Sequence, residues 1–132
     1  MTKQALLPDG WRRPKGYANG VATRGRQVFV AGMIGWDANE QFQSDDFGDQ
    51  ARQALANVVA VLTAGGAKPE HITRMTWYVT DKRAYLAALP SVGKAFRELI
   101  GHYDIAMTAV QVVALIEDRA LVEIEVTAVI PD

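Results

Sequence analysis

The order of apolar and polar positions divides the chain into alternating extended and helical segments. Residues 17–22 suit a short strand. After the turn Arg24-Gly25-Arg26, the run Gln27 to Ile34 is rich in β-branched and aromatic residues, so the two segments are expected to form a hairpin. Gly25 is available for positive φ at that turn. Gly32 inside the second strand weakens it and marks a bulge or a close backbone approach. Asp45 or Asp46 can cap a helix on which Phe47, Ala51, Ala54, Leu55, Val58 and Leu62 recur at helical spacing. Gly65-Gly66 ends it. Ile72 to Val79 reads as a strand. A second helix starts near Asp81 and carries Tyr85, Leu89, Val92, Phe96 and Leu99 on one stripe, with a break expected at Pro90. Two more strands, Met107 to Leu115 and Ala120 to Ile130, flank the polar turn Glu117-Asp118-Arg119.

This order, ββαβαββ, predicts an α+β fold: a mostly antiparallel sheet with two helices on one face. Residues 1–132 read as one domain, with an irregular Pro- and Gly-rich segment over 1–16. On the last strand Val122, Ile124, Val126 and Ala128 share one face and suit helix packing. The other face mixes Leu121 and Val129 with Glu123, Glu125 and Thr127. It suits a partner subunit, the alternative being a solvated sheet face.

Composition narrows the chemistry. The 132 residues are 49% hydrophobic and 22% charged, an ordinary globular balance that excludes disorder. The net charge is −1 and the pI near 6.1, which argues against a nucleic-acid or anionic-membrane partner. There is no cysteine, so thiol nucleophiles, disulfides and thiolate metal sites are excluded. No secretion signal or membrane span is expected, which suits a cytoplasmic protein. The two histidines, His71 and His102, are too few for a histidine metal site and read as a surface residue and a helix-end cation. No metal or cofactor is expected.

The remaining candidates are few. Glu123 and Glu125 share a strand face. A carboxylate desolvated there can hold water or shuttle a proton, the alternative being solvated carboxylates guarding a sheet edge. Tyr17, where irregular chain meets the first strand, can offer its hydroxyl to a ligand or simply pack its ring. Trp36 in the loop after the glycine-bearing strand can line a pocket or cover the core edge, and Trp77 within a strand reads as core. Arg12, Arg13 and Lys15 read as solvated chain.

The segments Gly16-Tyr17-Ala18-Asn19-Gly20-Val21, Val28 to Gly35, Gln50 to Leu62 with Asn57, Ala64-Gly65-Gly66-Ala67 and Val122-Glu123-Ile124-Glu125, in that order over residues 17–129, resemble the RidA/YjgF family. The resemblance implies a chorismate-mutase-like fold, a homotrimer, and a small-molecule ligand in clefts between subunits. It also implies cofactor-free hydrolysis of enamines and imines such as 2-aminoacrylate. Tyr17 and Gly32 correspond to cleft residues, and Glu123 to a glutamate associated with the attacking water. The family arginine that grips the substrate carboxylate has no counterpart. Ile105-Ala106-Met107-Thr108 places Met107 there, and Ala31 stands where many members have serine. A methionine offers a soft apolar surface in place of a charge-assisted fork. The expectation is therefore a deaminase of a different enamine or imine. Met107, Trp36 and Phe96 would make the cleft apolar, and 2-aminomuconate is one candidate. A metabolite-binding trimer without turnover is the alternative, and an endoribonuclease-like activity a third reading.

Overall fold

The structure, a computed structural model, describes residues 3–132. Its centre is a four-stranded sheet in the order β3-β6-β4-β5, built from β3 (Arg26–Ile34), β4 (Ile72–Val79), β5 (Ala106–Gln111) and β6 (Val122–Ile130). A separate two-stranded ribbon pairs β1 (Gln4–Leu6) with β2 (Gly20–Ala22). Helices α1 (Phe47–Ala64), α2 (Lys82–Ala87) and α3 (Leu89–Leu99) complete the chain. This is the α+β, chorismate-mutase-like arrangement. Both β3 and β4 run antiparallel to β6, and β5 runs parallel to β4. A parallel pair cannot be closed by a tight turn, so α2 and α3 form the crossover between β4 and β5.

Side-chain alternation decides where the core lies. Met75, Trp77 and Val79 of β4 and Val122, Ile124, Val126 and Ala128 of β6 point to one face and are buried. Leu55, Val58 and Leu62 of α1 and Val92 and Phe96 of α3 cover them. Full burial of each such leucine or isoleucine stabilises by about 1.5–3 kcal/mol. Among the described residues no helix is long and apolar enough to cross a membrane.

The local signals act as the residue types require. Asp46 caps α1 by accepting from the Asp49 amide at 3.0 Å, and Asp81 caps α2 by accepting from the Arg83 amide at 2.9 Å. Pro90 sits in the first turn of α3, where its missing N–H leaves no bond unmade, so the helix break falls at Ala88. Gly25 has φ +146 and its α-carbon lies against the Ile130 carbonyl, leaving no room for a side chain. The register of β3 against β6 shifts between Val30 and Met33, so the bulge expected from Gly32 is present.

Three strand expectations are corrected. The segment 17–22 does not form a hairpin with β3. Only Gly20–Ala22 is extended, and it pairs with Gln4–Leu6, inside a segment expected to be irregular. The physical reason is that β6 offers β3 a ladder from Arg26↔Ile130 to Ile34↔Glu123, whereas β2 offers three residues. Lys3 helps to anchor the ribbon by donating to the Glu70 and Ile72 carbonyls at 2.8 and 3.0 Å. Finally, β5 stops at Gln111 and does not pair with β6. The chain from 112 to 121 is a long loop whose apolar Val113 and Ile116 project fully into solvent.

Candidate functional site

The central sheet carries candidate residues on both faces. On the helix side, a cavity of 650 Å³ opens between α3, the end of α2 and strand β5. Its floor is Trp77 of β4 with Met107 and Ala109 of β5. Leu89, Val92, Gly93 and Phe96 of α3 and Tyr85 of α2 form one wall, and Lys15, Gly16, Tyr17 and Tyr103 the other. The apolar helical stripe thus has two functions. Val92 and Phe96 are buried against the sheet, while Leu89 is 44% exposed at the cavity. Phe96 and Tyr103 stack with ring planes 7° apart and centroids 5.3 Å apart. Burial pushes the Tyr85 hydroxyl up from its ordinary pKa, so it stays neutral and can only share hydrogen bonds. The Trp77 Nε1–H is buried without a partner in the same region.

The backbone places Tyr17 there. The amide of Ala18 donates to the Ile105 carbonyl at 2.9 Å, and Ala18 bridges Ala106. That pairing ties the chain before β2 to the start of β5, so Tyr17 and Met107 converge. Of the cleft residues expected from sequence, the structure brings Tyr17, Met107 and Phe96 together in this cavity.

Gly32 and Glu123 lie on the opposite face of the sheet. Glu123 alternates with the buried Val122 and Ile124 and is half-buried. A Cβ on Gly32 would stand 2.2 Å from Glu123 Oε2 and 2.7 Å from its Cδ. The glutamate therefore lies across bare backbone at the bulge, which only glycine permits. Glu125 is committed elsewhere. It accepts the Tyr78 hydroxyl at 2.5 Å, and this bond, with the nearby carboxylate charges, holds the Tyr78 pKa above its ordinary value. Arg74 and Thr76 share this face with Glu125, so Arg74, although it pairs with Ala106, lies on the face opposite Met107.

Trp36 joins neither group. It lies 5.8 Å from the Phe42 ring, in a shallow groove with Ile116 and Arg119, whose guanidinium stands over Phe42. Its carbonyl and that of Ile34 accept from Asn57 Nδ2 at 2.7 and 3.0 Å, which fixes the loop leaving β3. Asp37 shapes the same loop. It accepts the amides of Gln41 and Asn39, and these bonds hold its pKa below the ordinary value. His71 accepts the Lys68 amide, and His102 Nε2 donates to the Pro69 carbonyl at 2.8 Å, so both stabilise the turn before β4. Among the described residues no group of three or more His, Asp or Glu side chains converges as a metal site would.

Sequence reasoning missed Lys15, Tyr85, Tyr103 and the lining role of Trp77. Tyr103 and Lys15 lie in irregular chain with no periodicity to read. Trp77 was recognised as buried, and it is 2% exposed, but one edge of it faces the cavity. It also missed Gln50, a buried side chain that donates to the Ser44 and Arg119 carbonyls and accepts the Leu121 amide.

A mixed sheet backed by α1 and α3, with a bulged edge strand and an aromatic cavity at its far edge, makes this an α+β domain with a pocket at the sheet edge. Residues 12–130 match the model of the family described as Endoribonuclease L-PSP, and the chain belongs to that family, the RidA/YjgF family. It is 32% identical over 113 residues to a 2-iminobutanoate/2-iminopropanoate deaminase of Salmonella typhimurium, covering 86% of each chain. It superimposes with a TM-score of 0.78 on a conserved Rid family protein of unknown function, YyfB of Yersinia pestis, at 30% identity, covering 98% and 100% of the two chains. Against E. coli TdcF with bound serine, the TM-score is 0.71 at 29% identity, covering 96% and 98%.

Proposed function

We propose that the protein is a cytoplasmic, cofactor-free hydrolytic deaminase of a reactive enamine or imine other than 2-aminoacrylate, with its ligand in a cleft between subunits of a homotrimer. The observation that carries this reading is the division of the candidate residues. Tyr17, Phe96 and Met107 line a cavity on the helix side of the sheet, while Gly32 and Glu123 sit on the other side. A site that uses both halves needs a second copy, whose open sheet face meets the cavity. The Salmonella relative's deaminase name favours the same chemistry.

The steps need no cofactor. Water held by the Glu123 carboxylate adds to the carbon of the C=N bond and gives its proton to the carboxylate. With the C=N nitrogen protonated at the outset, addition leaves a neutral carbinolamine, which takes that proton on nitrogen; its hydroxyl proton then passes to the freed carboxylate as the C–N bond breaks, the carbonyl forms and ammonia leaves. Met107 and the aromatic walls suit a substrate larger and less polar than a three-carbon imino acid. The cavity is of the size that encloses drug-like ligands, roughly 300–1,000 Å³.

The test is ammonia release from enamines generated in situ, comparing small aliphatic and aryl-bearing substrates. Wild-type protein is expected to accelerate the aryl series, and Glu123→Gln to lose about 100-fold or more of that acceleration. Equal rates for Glu123→Gln and wild type would remove the proposed role. Stabilisation by ligands that are never consumed would favour a binding protein without turnover.

A further inference from the structure

We infer that the rim of this cavity carries an anion anchor, Lys15, reinforced by Arg97 from α3, that selects an aromatic or conjugated monocarboxylate. This rests on reading the 650 Å³ cavity as the ligand site. Among the described residues that line the cavity, Lys15 is the one with a charged side chain, and no carboxylate accompanies it. Every other polar group in the lining belongs to a tyrosine, to Trp77 or to the backbone. An anion entering here therefore meets a single cation and a wall of aromatic and aliphatic carbon.

Arg97 adds to that field through a specific gap. Its Nη1 lies 3.2 Å from where a Cβ on Gly93 would stand, so the guanidinium folds back one helical turn over a residue of the cavity wall. A side chain at position 93 would make it give way by a few tenths of an ångström. The ion pairs among the described residues are Arg24–Asp132, Arg52–Glu98, Lys94–Glu98 and Arg119–Asp45, and neither Lys15 nor Arg97 belongs to one. Glu98, the acidic residue next to Arg97, is already held by Arg52. Both cations are thus available to a ligand. The adjoining groove, which shares Gly16, Tyr17 and Tyr103, is lined by both Asp104 and Arg13 and offers an anion no net attraction.

The stem of Lys15 gives a carboxylate a point charge, where an arginine would give a two-pronged fork. Such an anchor fixes position less tightly, so more of the binding must come from the planar body between Tyr17, Phe96 and Met107. That favours substrates whose imine or enamine is conjugated to a ring or an extended π-system, with one carboxylate at the end nearest the rim.

Calorimetry with phenylacetate and its neutral counterpart phenylacetamide tests this on the full chain. Wild type should bind the carboxylate more tightly than the amide, by a margin that shrinks as salt rises from 20 to 500 mM, roughly. Lys15→Ala should weaken phenylacetate by roughly 5- to 10-fold and leave phenylacetamide unchanged. Lys15→Arg should keep the preference, and Arg97→Ala should give a smaller loss confined to the carboxylate. Equal binding of both probes to wild type and Lys15→Ala overturns the anchor while leaving the cavity reading intact. Absence of binding by either probe to wild type overturns both.

Discussion

On one side of the central sheet, Met75, Trp77, Val122 and Ile124 are covered by α1 and α3; on the other, Arg74, Thr76, Tyr78, Glu123 and Glu125 rise from the same strands with no helix above them. The backbone is shared and the register is shared, and only the parity of the residue number differs. The covered face is a continuous core in which volume and shape decide stability. The open face holds two carboxylates, a tyrosine and the 70% exposed Phe29, so charge and hydrogen bonding decide its behaviour. One strand, β6, thus carries structural and chemical residues in strict alternation, and substitutions one position apart should act on different observables.

The largest expected effect lies on the covered face. Ile124→Ala should lower unfolding free energy by about 2–5 kcal/mol in urea titrations, because its site is sealed on all sides. A loss below about 1 kcal/mol would show that the face relaxes into the void. Gln50→Leu comes next. It keeps the packing of α1 but strands the Leu121 amide and two carbonyls, a change worth about 1–3 kcal/mol.

Substitution on the open face should leave stability nearly unchanged and move titrations instead. Glu125→Gln removes the carboxylate whose hydrogen bond, and then charge, hold Tyr78 protonated, so the tyrosine pKa should fall towards about 10 in an ultraviolet titration. The sign follows from proton binding. With a folded pKa raised above the unfolded one, the native state keeps its proton longer. The stabilisation is complete below about pH 10 and fades as pH climbs through the folded value. Glu125→Gln should flatten that alkaline decline.

The smallest effect concerns the loop between β3 and α1. Asp37 has its pKa lowered by the Gln41 and Asn39 amides, so its contribution is present above the ordinary carboxylate value of about 3.9 and is lost as pH falls through the depressed one. Asp37→Asn should therefore shift thermal melting slightly at pH 7, with the difference from wild type shrinking as pH falls through the depressed carboxyl pKa. A difference that persists in acid would assign the loop's order to other contacts.

Much of the fold could be read from the chain because its strongest signals are local. Asp46 and Asp81 cap helices, Gly65-Gly66 and Gly25 end or turn the chain, and the alternation of β6 names its buried face. Pairing partners were harder. Nothing near Tyr17 reports that Gln4–Leu6 will lie beside Gly20–Ala22, or that β5 will join β4 in parallel, because these are long-range choices decided by which ladder is longest. The candidate site divided in the same way. Tyr17, Met107 and Phe96 meet in one cavity, whereas Lys15 and Tyr103 enter it from irregular segments that carry no periodic signal.

The central claim is that a complete site combines the cavity of one copy with Glu123 of another. Co-expression of Glu123→Ala and Tyr17→Ala chains tests it most directly, by ammonia release from an aryl enamine. Each variant alone should be nearly inactive. Random mixing should leave about a quarter of the sites with both groups intact, so the mixed oligomer should recover activity in that proportion. Mixed oligomers as inactive as either parent would contradict the account.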